Sequence, residues 1–217
     1  MTLDDVLQRV RSCMHNCNRN IEELEIIAVS KKQSISRIMP VLQAGHRLFG
    51  ESRVDEASDK WNKIRDQFSG IRLEMVGHLQ TNKVSEAFRI FDSIHTLDRV
   101  SLARKLADEV SKTGYCPRLF IQINTGSEFH KSGIIPYHVE EFLKYCREVC
   151  CLPIVGFMTI PPLRDQPLQH FQLIARLSKY FGLPCLSMGM SNDFHTALAA
   201  GATSIRIGTA IFSSSET

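Results

Sequence analysis

The chain has 217 residues, of which 43% are hydrophobic and 23% charged, with a net charge of +3, the make-up of an ordinary globular protein able to bury a sizeable core. So small a positive excess argues against a nucleic-acid-coating or membrane-surface role and leaves small anionic ligands open. No apolar run approaches the roughly 20 residues of a membrane helix, and Thr2-Leu3-Asp4-Asp5 lacks the basic-then-apolar layout of a secretory signal, so an unprocessed cytoplasmic protein is expected.

Leu3, Val6, Leu7, Val10, Met14 and Cys17 recur at helical spacing, with Thr2 as N-cap and Asp5 in the first turn, and predict one amphipathic helix. Eight short apolar runs follow: Ile26 to Ser30, Arg47 to Gly50, Leu73 to Gly77, Ser93 to Leu97, Leu119 to Asn124, Ile154 to Thr159, Cys185 to Gly189 and Ser204 to Gly208. Helical patterns separate them, as in Leu102, Leu106 and Val110, or Phe142, Leu143 and Cys146. Alternating β and α units of this number predict an α/β fold, a single (β/α)8 TIM barrel over residues 1–217. No helix-length segment remains after the eighth run, so the N-terminal helix is expected to pack where the last helix would sit. Seven cysteines, an odd count without a C-x-x-C pair, read as reduced thiols of a cytosolic protein, with Cys146, Cys150 and Cys151 taken as core residues.

In such a barrel the chemistry gathers where strands end, because the loops that follow converge on one face. Lys31, Glu51, Ser52, His78, Asn124, Thr159, Ser187, Arg206, Gly208 and Thr209 all fall there. Lys31 follows Ile26-Ile27-Ala28-Val29-Ser30, a run that reads as a strand buried on both faces, so its amine is expected in a partly dry barrel mouth. Desolvation there disfavours the ammonium form and favours a nucleophilic amine. A solvated lysine just past a strand is the alternative, and Lys32 reads as one.

Two turns near the C-terminus have the make-up of an anion site. Ser204-Ile205-Arg206-Ile207-Gly208-Thr209 ends a strand with a glycine and a hydroxyl, and Leu186-Ser187-Met188-Gly189-Met190-Ser191-Asn192-Asp193 leads into a helix that Ser191 or Asn192 is expected to cap. Glycines that merely permit tight turns remain the competing reading. Arg206 alternates with Ile205 and Ile207 and needs an acceptor; an ion pair with Glu51 or Asp193 competes with a ligand contact. The polar stretch Gly77-His78-Leu79-Gln80-Thr81-Asn82-Lys83 also follows a strand. His15, His46, His138, His170 and His195 lack metal-ligand spacing.

With these segments in view, the sequence resembles the pyridoxal phosphate homeostasis protein family over its whole length. AVSK at 28–31, FGES at 49–52, GHLQTNK at 77–83, IHTLDR at 94–99, KSGI at 131–134, GFMTIP at 156–161, LSMGMSNDF at 186–194 and IRIGTAIF at 205–212 carry the likeness. The resemblance implies a barrel of the alanine racemase N-terminal-domain type with an extra N-terminal helix. It also implies pyridoxal 5'-phosphate (PLP) as cofactor, held as a Schiff base on Lys31. Ser187, Gly208 and Thr209 would hold the phosphate, and Arg206 would face the pyridine nitrogen and keep it unprotonated, making the ring a weak electron sink. The implied cofactor-binding set is Lys31, Ser52, His78, Asn82, Met158, Ser187, Met188, Gly189, Arg206, Gly208 and Thr209, with no catalytic and no metal-binding residue. Ser52 stands where the family usually has Asn, Asn192 where it usually has Asp, and Gln33 where a basic residue often follows the lysine.

The function so implied is PLP binding in intracellular vitamin B6 homeostasis without catalysis. Racemases of this fold take a second acid/base residue from a further domain and a dimer partner, whereas here the barrel accounts for all 217 residues. Partners are then PLP and PLP-dependent apoenzymes, with no nucleic acid and no membrane, and the protein is expected to be a monomer. A PLP-dependent amino-acid racemase or lyase using a loop residue as second base is the alternative. A lysine-imine aldolase acting on a sugar phosphate is a third.

Overall fold

Strands covered by helices on one side and packed against one another on the other need apolar residues at nearly every position, and the apolar runs of this sequence become such strands. In the computed structural model, which describes residues 3–212, the strands are β1 (Glu25–Val29), β2 (Leu48–Glu51), β3 (Arg72–Met75), β4 (Ser93–Leu97), β5 (Arg118–Ile123), β6 (Ile154–Thr159), β7 (Cys185–Met190) and β8 (Ser204–Ile207). They close in sequence order into an all-parallel barrel, β8 pairing back onto β1 with Ile27 opposite Arg206. The fourth and sixth strands have the expected bounds and the others move by one or two residues. Ser30, for instance, is not a strand residue: its carbonyl accepts from Gln33 N–H and from the Lys60 ammonium, which turns the chain there.

Helices α2 (Ile35–Gln43), α3 (Val54–Trp61), α4 (Val84–Ile90), α5 (Val100–Thr113), α6 (Val139–Lys144), α7 (Pro167–Phe181) and α8 (Phe194–Ala199) lie between successive strands. α7 shows how sequence sets a boundary: proline opens it, where the missing N–H is harmless, and Gly182 closes it at φ +64°. After β8 a single short turn of helix, α9 (Thr209–Phe212), completes the described chain. α1 (Leu3–Asn16) buries Leu3, Val6, Val10 and Met14 and packs against α8 and α9, in the place expected of it. Cys17 lies just past its end, and the proposed Thr2 cap lies outside the described residues.

The cysteine reading needs one correction. All seven thiols are free, yet of the trio in and just past the helical turn Tyr145–Val149 that extends α6, Cys146 is buried, Cys150 half-buried and Cys151 exposed. Cys151 has left the helix and takes a left-handed φ of +51°, which directs its side chain away from the core face that Cys146 occupies.

Candidate functional site

The ends of β1, β7 and β8 surround a cavity of about 360 Å³ lined by Val29, Lys31, Val76, Ile160, Met190, Ser191, Asn192, Arg206, Gly208 and Thr209. That volume suits a small ligand. Gly208 packs closely on β1, since a Cβ there would stand 3.3 Å from the Val29 carbonyl oxygen. Its own carbonyl accepts from Ile211 N–H and Phe212 N–H, both at 3.0 Å. In such a turn the first N–H groups have no helical partner.

Lys31 is on this cavity but is an exposed residue, not the partly dry amine the apolar run suggested. The physical reason is local. Ser30 is the last fully buried residue of the run, and Lys31 and Lys32 are the central pair of a turn closed by Gln33 N–H to Ser30 C=O at 3.1 Å. A turn at the rim holds its central side chains in solvent.

Arg206, by contrast, is buried. One terminal nitrogen donates to Ser187 Oγ at 2.6 Å and the other to the Thr159 carbonyl at 2.8 Å. Ser187 Oγ also lies 2.8 Å from His95 Nδ1, and His95 Nε2 lies 2.6 Å from Glu74 Oε2. β4 and β7 are not neighbours in the sheet, so the His95–Ser187 bond crosses the barrel interior. Arg206 can only donate, so Ser187 Oγ accepts from it, and His95 bridges that hydroxyl to the Glu74 carboxylate. His95 is further fixed by stacking on Phe120 with centroids 4.2 Å apart. Burial pushes the Arg206 pKa down to about 10, with some restoring attraction from Asp193, which still leaves it charged at neutral pH. Burial also pushes the Glu74 carboxyl up, but the hydrogen bond and charge of His95 outweigh it, and its pKa lies below the ordinary value.

Among the described residues Arg206 forms no ion pair with Glu51, while Asp193 attracts it through its charge. Glu51 shares the outward face of β2 with Phe49, where Trp61 of α3 packs at a tilt against Phe49 with ring centroids 4.8 Å apart and donates Nε1–H to Glu51 at 3.1 Å. Ser30 Oγ and the Lys60 ammonium donate to the same oxygen, Oε1, at 2.6 and 2.9 Å, while Oε2 has no hydrogen-bond partner among the described residues.

The remaining candidates are dispersed. Ser52 and His78 line a second cavity, of about 410 Å³, over the ends of β2 and β3, together with Gln80 and Lys83; His78 Nδ1 is 3.5 Å from Asp98 Oδ2. Asn82 is exposed in the short helical turn Thr81–Lys83 and lines neither cavity. Met158 and Ser187 are fully buried inside the barrel, and Met188 is in the core between strand and helix. Gly189 is a packing glycine: its φ is +94°, and a Cβ would come within 2.6 Å of Ala197 Cβ on α8. With the Ser187 hydroxyl engaged by Arg206 and His95, the serine on the cavity is Ser191, which the sequence reading took only as a helix cap. The residue at the cap position of α8 is Asp193, whose carboxylate accepts Met190 N–H at 2.6 Å instead.

An all-parallel eight-stranded barrel that brings a lysine, an arginine and a glycine–threonine turn to one cavity at the strand ends defines a (β/α)8 barrel of the small-ligand-binding kind. The profile of the family described as alanine racemase, N-terminal domain, matches residues 3–216. A pyridoxal phosphate homeostasis protein of Vibrio cholerae is 34% identical over 97% of this chain and 93% of its own length. The structure of PipY of Synechococcus elongatus with PLP bound has a TM-score of 0.81 and 32% identity, covering 95% of this chain and 97% of that one. An alanine racemase of Clostridium difficile, 12% identical with a TM-score of 0.70, shares the fold over 57% of its length. The chain belongs to the alanine racemase N-terminal-domain family and, within it, to the pyridoxal phosphate homeostasis proteins.

Proposed function

We propose that this protein binds PLP at the cavity over β1, β7 and β8 and serves PLP homeostasis in the cytoplasm by capture and release, without turning over a substrate. The observation that carries the reading is the convergence of Lys31, Ser191, Arg206, Gly208 and Thr209 on that cavity. The donor set fits the group: hydroxyls and turn N–H groups suit a phosphate, and a buried guanidinium suits an unprotonated ring nitrogen. When bound, PLP supplies an aldehyde that condenses with a primary amine with loss of water.

Lys31 is the amine that would hold it. Arg206 cannot take up or deliver a proton near neutral pH, and its two terminal nitrogens are fixed by Ser187 and Thr159. Among the residues lining the cavity, Lys31 and Arg206 are the titratable ones, so no second acid or base faces the lysine there. That supports binding without turnover. The exposure of Lys31 suits a carrier as well, because water or an incoming amine can reach it for release to PLP-dependent apoenzymes. The protein is read as acting as a monomer.

The test is addition of PLP to the purified protein, borohydride reduction and peptide mapping, beside Lys31→Ala. The expected result is a reduced adduct on Lys31 in the parent and its loss in the variant. An adduct of equal yield in Lys31→Ala, on another lysine, overturns the assignment. Amino-acid racemisation or α-proton exchange that disappears in Lys31→Ala would replace the carrier reading with an enzymatic one.

A further inference from the structure

The turn that presents Lys31 is strained and is held from behind. Lys32, its third residue, has φ +60°, a left-handed conformation that carries a penalty for a residue with a Cβ. Its N–H is bonded to Glu56 Oε1, on the first turn of α3. Glu56 Oε1 in turn accepts from the Lys60 ammonium at 3.0 Å, one helical turn further on. The other two Lys60 donors go to the Ser30 carbonyl at 2.8 Å and to Glu51 Oε1 at 2.9 Å. Lys60 is buried, and all three of its N–H donors are used. The main-chain groups on both sides of Lys31, the carbonyl of Ser30 and the N–H of Lys32, therefore end on one ammonium–carboxylate unit of α3.

We infer that Glu56 and Lys60 are positioning residues for Lys31: by pinning the backbone on either side of it they hold a strained turn in the conformation that puts its amine on the cavity. The inference rests on Lys31 being the PLP-binding lysine. Neither residue lines that cavity, so their effect passes through the turn alone. Lys60 is itself no competing amine, since its nitrogen is saturated with acceptors. Three features make the unit a clamp and not a surface ion pair: Lys60 is buried, Glu51 is fully buried and bonded also by Trp61 and Ser30, and the positive φ adjoins the functional lysine.

The experiment uses Glu56→Ala, a change at a half-exposed residue that leaves the Lys60–Glu51 pair in place. Two readouts are compared: reducible PLP adduct on Lys31 at sub-saturating PLP, and affinity for pyridoxine 5'-phosphate, which has the same ring and phosphate and no aldehyde. If the turn is released to other conformations, the competent fraction falls and adduct yield falls with it, about tenfold, while pyridoxine 5'-phosphate affinity stays within about twofold. Adding Lys32→Gly, which takes a left-handed φ without a Cβ penalty, restores most of the adduct. Unchanged adduct in Glu56→Ala overturns the inference, as does an equal loss of both ligands or no recovery with the added glycine. If the parent itself forms no adduct on Lys31, the reading of the site has failed, a result distinct from all of these.

Discussion

Ser187→Ala removes the one hydroxyl that joins Arg206 to His95 inside the barrel. Two buried groups lose a partner, a guanidinium N–H that donates at 2.6 Å and an imidazole nitrogen at 2.8 Å. An orphaned buried polar group costs about 1–3 kcal/mol, and more when charged. A total near 3 kcal/mol is expected, which in a chain of this length lowers the melting temperature by about 6–12 °C. Ser204, across the pairing from Ser187 on β8, provides the internal control: it is as buried, but its hydroxyl has no hydrogen-bond partner among the described residues. Ser204→Ala should therefore leave stability within about 0.5 kcal/mol of the parent. Equilibrium urea unfolding of the three proteins reads both numbers. Equal losses in the two variants would show that both changes act through volume alone, and would refute the hydrogen-bond chain as a stabilising unit.

Gly208→Val should fold, because φ is not left-handed there, but its side chain crowds the Val29 carbonyl beside the cavity that both residues line; equilibrium dialysis should show PLP retention reduced at least tenfold, and undiminished retention would move the phosphate site elsewhere. For Glu74, the lowered carboxyl pKa fixes the sign of a pH effect. A carboxyl depressed in the folded state adds stability that is present above its unfolded pKa, about 4.5, and is lost as pH falls through the lower folded value. The stability gap between parent and Glu74→Gln should accordingly be flat from neutral pH to about 5 and shrink below that, and a gap that widens on acidification would contradict it.

The barrel was legible because eight apolar runs at regular intervals leave few other arrangements, and two of them, 93–97 and 154–159, match the observed strands to the residue. Strand-end reasoning also brought Lys31, Arg206, Gly208 and Thr209 to one face. What escaped it was which way a polar residue points. Glu51 ends an apolar strand just as Lys31 follows one, but the two-residue alternation groups it with Phe49, toward α3, and that signal was present in LFGE. His95 sits inside IHTL, where a lone polar residue reads as simple alternation; its partners Glu74 and Ser187 lie 21 and 92 residues away, beyond any local pattern. Ser187 lies within β7 and Ser191 just past its end, with Gly189 at positive φ between them, so one short stretch of sequence holds a residue of the barrel interior and one at the mouth. The exposure of Lys31 was missed for a similar reason: hydropathy reports that a strand is buried, not where the turn begins.

The docking of α1 on α8 and α9 sets an order of events during synthesis. Helix α1 must wait for some 180 residues of chain before its partners exist, with Leu3, Val6, Val10 and Met14 uncovered meanwhile. Closure of β8 on β1 depends on the same late material, so within the barrel the seam forms after the other strand pairs and is where a nascent chain is most open to association with its neighbours.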